Sequence, residues 1–144
     1  HGVTLGPDTV AAIGRRTDGH PYFVQAFARA AWLHAADERV TPDDIRDVSL
    51  VVERELRATF FAPMLDGLSA TELRFVRAIG DAGEREDFAS IARRLGDAVR
   101  FDPATSRLAP VLDGLVGRGV VYVDDDHRLR FALPYFERYV RTTD

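Results

Sequence analysis

The chain has 144 residues, 46% of them hydrophobic and 10% aromatic, with a net charge of −4. That composition supports one domain or two small ones with a buried core, and no run of about 18 apolar residues is present to span a membrane. Cysteine is absent, which excludes disulfides and cysteine–zinc sites and fits a cytoplasmic location.

Every one of the 19 basic residues is arginine. Without lysine, a phosphate-binding Gly-x-x-x-x-Gly-Lys loop cannot exist in this chain. The mild acidity also argues against a dominant nucleic-acid surface, which needs a basic face. No signal peptide is visible. The first residue is His1 rather than Met, so a piece of a longer chain, or a trimmed one, is expected.

Five of the seven prolines, Pro7, Pro21, Pro42, Pro103 and Pro134, precede helix-like stretches, where the missing N–H has no helical partner to lose. A first helix is expected from about Pro7 to Arg16, with Val10 and Ile13 inward. A second runs from about Pro21 to Ala36, where Phe23, Phe27, Ala30 and Ala31 form an apolar stripe. The third starts at Pro42 behind the capping residue Thr41 and carries Ile45, Val48, Val52, Leu56 and Phe60 on one face. Pro63 ends or kinks it.

Beyond residue 65 the pattern changes. Ser69-Ala-Thr-Glu72 has the spacing of a capping box and opens a helix to Ala82 with Leu73, Val76 and Ile79 inward. Asp87 to Leu95 is a short helix stopped by Gly96. A further helix is expected from about Ser106, with Leu108, Leu112, Leu115 and Val116 inward and Pro110 at the end of its first turn. Val120–Val123 and Arg128–Leu133 form a hairpin around an acidic turn, "DDDH". Pro134 opens a last helix with Phe136, Tyr139 and Val140 inward. The expected fold is mainly α: a small helical bundle over residues 1–65, then a winged helix-turn-helix domain over residues 66–144.

No self-sufficient active site is visible. The four histidines, His1, His20, His34 and His127, lack metal-ligand spacing. A Gly-x-Ser-x-Gly elbow is missing. Asp124-Asp125-Asp126 reads as a solvated hairpin tip, and Glu53 and Glu55 point different ways on their helix. In a helix-turn-helix the second helix of the pair meets base edges near its N-terminus. That makes Ser106, Arg107 and Thr105, with Arg100 before them, candidate nucleic-acid contacts, alongside Arg93 and Arg94 on the preceding helix and Arg128 and Arg130 on the hairpin. Residues 66–144 nevertheless hold twelve arginines against fourteen acidic residues, and a triply acidic tip repels phosphate. The connection "GDAVRFDPAT" is also longer than the usual turn of about 3–4 residues, a departure from the DNA-reading pattern.

"TDGHPYFVQAFARAAW", with "VTPDDI" and "VEREL", resembles the helical lid of bacterial P-loop ATPases of the AAA+/STAND type. "LVGRGVVYVDDDHRLRFALPYFERYVR" resembles the winged helix that follows that lid. The resemblance implies that Gly19, His20 and Pro21 match a Gly-x-Pro element that senses the bound nucleotide. It also implies an upstream P-loop ATPase domain carrying the Walker motifs, binding ATP or ADP with Mg, and acting as the partner of this piece. The piece itself would hold no cofactor and perform no reaction. Physically, a helix start preceded by glycine offers N–H groups and a positive dipole end, and Tyr22 and Phe23 supply an apolar wall. Two functions stay open: a regulatory module coupling nucleotide state to protein or DNA contacts, and a stand-alone winged-helix DNA-binding transcriptional regulator. A blander third is an interaction domain in which "RFALPYFERYV" packs on a partner.

Overall fold

A computed structural model describes residues 4–83, 85–96 and 106–143. The chain is mainly helical and divides into two compact units, His1–Phe60 and Phe61–Asp144. Sequence patterning places that boundary at 65/66. Arg100, Pro103 and Thr105 lie outside the described residues.

In the first unit, β1 (Thr4–Leu5) pairs in parallel with β2 (Arg39–Val40). Between them run α1 (Pro7–Thr17) and α2 (Pro21–His34), and α3 (Pro42–Asp47) and α4 (Ser49–Leu56) come after. Each of Pro7, Pro21 and Pro42 sits in a first helical turn. The Thr41 side chain accepts from the Asp44 N–H while Asp44 accepts from the Thr41 N–H, closing a capping box.

The α2 stripe buries Phe23, Phe27 and Ala31 against Ile13, Ile45, Val52 and Leu56 of the same unit's core. Val10 is not part of that core: it is 55% exposed, and Thr9 is buried in its stead. The Thr9 hydroxyl donates to the Val40 carbonyl at 2.8 Å, which turns α1 so that Thr9, Ile13 and Thr17 line its inner face. The stretch expected as one helix from Pro42 is broken at Val48, whose φ of −82° and ψ of −7° cap α3 and start α4. It then widens into a π turn over Arg57–Phe61, and Pro63 lies in the first turn of α5 (Ala62–Asp66). The extra residue in a π turn rotates the downstream chain by about one residue. Phe60 therefore joins the first unit's aromatics and Phe61 the second's.

The second unit contains α6 (Ala70–Ala82), α7 (Phe88–Arg94), α8 (Ala109–Gly117), the antiparallel pair β3 (Val121–Val123) and β4 (Leu129–Phe131), and α9 (Phe136–Thr142). The Ser69–Glu72 capping box forms as its spacing predicts. Asp87 caps α7 through the Ser90 N–H at 2.8 Å. Pro110 falls at the very start of α8 rather than at the end of a first turn, because Ser106 and Arg107 lie ahead of the helix. Pro134 sits in the turn before α9, whose cap is Tyr135 in a left-handed conformation, φ 65°. Phe61, Phe136, Phe131 and Tyr139 make one aromatic cluster, with Phe136 centred 5.3 Å from Phe61 and 5.2 Å from Phe131. Gly80 lets α6 and α9 close up: a Cβ there would stand 3.1 Å from Val140 Cγ1. Residues ahead of α7 add to the hairpin, since Leu129 donates to the Glu86 carbonyl and Asp87 bridges Arg128.

Among the described residues, no helix is long and apolar enough to cross a membrane.

Candidate functional site

Two places collect the residues that the sequence singles out. The first is the start of α2. Asp18 and Gly19 both adopt left-handed conformations, φ 49° and 71°, and reverse the chain after α1. His20 is the N-cap residue, its N–H donating to the Thr17 carbonyl at 2.9 Å. Pro21 then enters the first turn. No side chain caps α2, so its positive end is met by no local oxygen of the kind Thr41 supplies to α3.

The His20 ring lies against Phe23 with centroids 4.6 Å apart. Its Nδ1 is buried and has no hydrogen-bond partner among the described residues. Tyr22, 38% exposed, packs edge-on against Phe60 at 4.5 Å, and Phe60 lies 6.2 Å from Phe23. Gly19, His20, Pro21 and an aromatic wall are thus together. Phe60 is the member that sequence reasoning missed here. It reads as one more apolar position on a long helix, and spacing does not mark its contact with Tyr22.

The second place is the arginine set of the second unit. Arg93 is exposed and leans on Ser90 Oγ at 3.4 Å. Arg94 is ion-paired with Glu86. Arg130 donates from Nε to Asp124 Oδ2 at 2.8 Å, and Asp124 Oδ1 accepts the N–H groups of Asp126 and Arg128. The Arg130 guanidinium, then the Arg128 N–H, holds the Asp124 carboxyl below the ordinary aspartate range. Asp124 is therefore a clamp of the hairpin turn and not a solvated tip charge, whereas Asp125 and Asp126 are exposed. Ser106 Oγ accepts from the Leu108 N–H at 3.1 Å in the turn ahead of α8.

Arg107 lies beside a depression shared with Arg74, Ser69, Thr71 and Val111, at the N-terminal end of α6. The arrangement gathers Arg107 with Arg74, which the sequence did not single out. It spends the charges of Arg94 and Arg130 on neighbouring carboxylates. Arg118, also not singled out, pairs with Glu72 and donates to the Gly67 carbonyl at 3.3 Å.

Among the described residues, no three His, Asp or Glu side chains gather in a way that would hold a metal ion. The family model described as Domain of unknown function (DUF8462) matches residues 58–140. No curated protein and no solved structure matches the chain.

Proposed function

The chain belongs to the DUF8462 family through residues 58–140, and for it we propose a regulatory role in which a helical lid and a winged helix couple the nucleotide state of an upstream P-loop ATPase domain to contacts with a partner. The chain carries out no reaction in this reading. ATP or ADP with Mg is held by the upstream domain, and Gly19, His20 and Pro21 sense it. The observation that carries the reading is the start of α2. A helix of 14 residues opens there without a side-chain cap, beside a histidine whose buried Nδ1 has no partner among the described residues and next to the exposed edge of Tyr22. A ligand that supplies an acceptor and a flat apolar face would satisfy all three.

Support for the winged-helix half comes from the order α6, α7, α8, β3, β4, α9 and from the backbone link of Glu86 and Asp87 to the hairpin. Its partner is more readily a protein than DNA. Two of the proposed phosphate contacts, Arg94 and Arg130, are neutralised within the unit, and phosphate binding draws its energy from unspent cations.

The test uses the intact parent protein. His20→Ala there changes the nucleotide dissociation constant or the ATPase rate. If both keep their wild-type values, His20 has no sensing role. The DNA-binding regulator is tested by fluorescence anisotropy with duplex DNA at low salt. Binding whose salt slope falls by about one on Arg107→Ala supports DNA as the partner. Absence of binding removes it.

A further inference from the structure

Most core-sized apolar side chains of the first unit are inside, yet four on α2 and α4 stand well out. Leu33 is 74% exposed, Leu50 67%, Val51 59% and Trp32 52%. These side chains belong to α2 and α4, and Leu33 and Val51 line one groove between the two helices, floored by Ala26 and Ala30. Exposed apolar side chains on two neighbouring helices mark a contact face, and the alanines let an incoming side chain approach the α2 backbone.

The rim charges say what covers it. Arg29 stands on the α2 wall and Glu55 on the α4 wall of the same groove. Neither makes an ion pair or hydrogen bond with another described residue. A face that docks on itself must present complementary charges under a two-fold rotation, because the same patch meets itself. A two-fold rotation that lays α2 of one copy over α4 of the other would bring the Arg29 wall to the Glu55 wall twice. A rim of one sign would repel its own image.

We propose that the α2–α4 face of the first unit is a homodimer interface, occupied by the same face of a second copy of this chain. The inference stands independently of nucleotide sensing, since none of Gly19, His20 and Pro21 belongs to the groove.

Sedimentation equilibrium of the 144-residue chain tests it, over loading concentrations up to about 100 μM. The wild type is expected to self-associate to a dimer. Leu33→Glu is expected to sediment as a folded monomer, judged by an unchanged circular dichroism spectrum. Val51→Glu asks the same question should Leu33→Glu fail to fold. Arg29→Glu weakens the dimer at least about tenfold, and Arg29→Glu combined with Glu55→Arg recovers it. A wild type that stays monomeric throughout overturns the proposal. So does a dimer that survives both glutamate substitutions, or a double reversal no tighter than Arg29→Glu alone. Either result leaves the nucleotide test with the intact parent untouched.

Discussion

Asp124 and Arg130 meet across the β3–β4 hairpin, Oδ2 to Nε at 2.8 Å, and the same carboxylate also accepts two backbone N–H groups of the turn. One side chain therefore closes the loop and cancels a nearby cation. Asp124→Asn is expected to lower the thermal midpoint of the second unit at neutral pH. The sign with pH is set by the carboxyl, which titrates below its ordinary value when folded. The stabilisation is present above the unfolded aspartate pKa, about 3.9, and is lost as pH falls through the lower folded value. Melting curves taken from pH 7 downward should show the wild type and Asp124→Asn apart at pH 7 and the gap narrowing once the pH falls below about 3.9. Equal midpoints at pH 7 would deny the clamp.

Ser69→Ala removes the side-chain acceptor at the start of α6 and is expected to cost about 1 kcal/mol. In a unit this size that lowers the midpoint by about 4–8 °C. Glu72 closes the other half of the box. The Ser69 N–H first, then Arg118, keeps its carboxyl below the ordinary range. Asp44 and Asp87 are lowered in the same way, chiefly by the N–H groups of Thr41 and Ser90. With all four carboxyls depressed in the folded state, the unfolded chain takes up more protons in acid. Urea midpoints should be flat above about pH 5 and fall steadily below it. A midpoint that rises on acidification would contradict the capping scheme.

Phe61 is fully buried and touches both Phe136 and Tyr139 at ring-centroid distances of 5.3 and 5.4 Å. Phe61→Ala should cost about 3–5 kcal/mol, a large share of the roughly 5–15 kcal/mol that holds a small domain together. Phe61→Leu should lose much less. Urea unfolding measures both, and comparable losses for the two would place Phe61 outside a packed core.

Gly19 has a φ of 71°, and a Cβ added there would meet nothing within 4 Å. Strain of the backbone alone is therefore read out by Gly19→Ala, expected to cost about 1–2 kcal/mol. Circular dichroism melts would check it. An unchanged or raised midpoint would mean that the turn between α1 and α2 relaxes without cost.

Much of this architecture is legible in the linear chain because its signals are local. Thr41, Ser69 and Asp87 each cap a helix through an N–H three residues on, so residue type and spacing suffice to find them. The buried positions Phe23, Phe27, Ile45, Val52 and Leu56 recur at helical steps and lie inside as their period predicts. Period alone errs where one tertiary bond outweighs it. Val10 and Thr9 compete for the inner side of α1, and the Val40 carbonyl, 31 residues away from Thr9, decides for Thr9. Phe75 escapes the pattern for a related reason: it lies beside Val76 on a helix whose inner side is wide enough for both.

The candidate site divides along the same line. Asp18-Gly19-His20-Pro21 announces a reversal and a helix start by itself, because glycine alone enters the left-handed region freely and proline alone loses nothing in a first turn. Which arginines keep their charge for a partner is not readable in the same way. Glu86 reaches Arg94 across eight residues and Asp124 reaches Arg130 across a hairpin, so their pairing exists only once the chain has folded. By itself the sequence determined where most helices begin and which of Thr41, Ser69 and Asp87 cap them, since those depend on neighbours within about four residues. The tertiary structure alone decided which arginines are spent on carboxylates and which aromatic rings meet, since an ion pair or an aromatic contact depends on distance in space and not on separation along the chain.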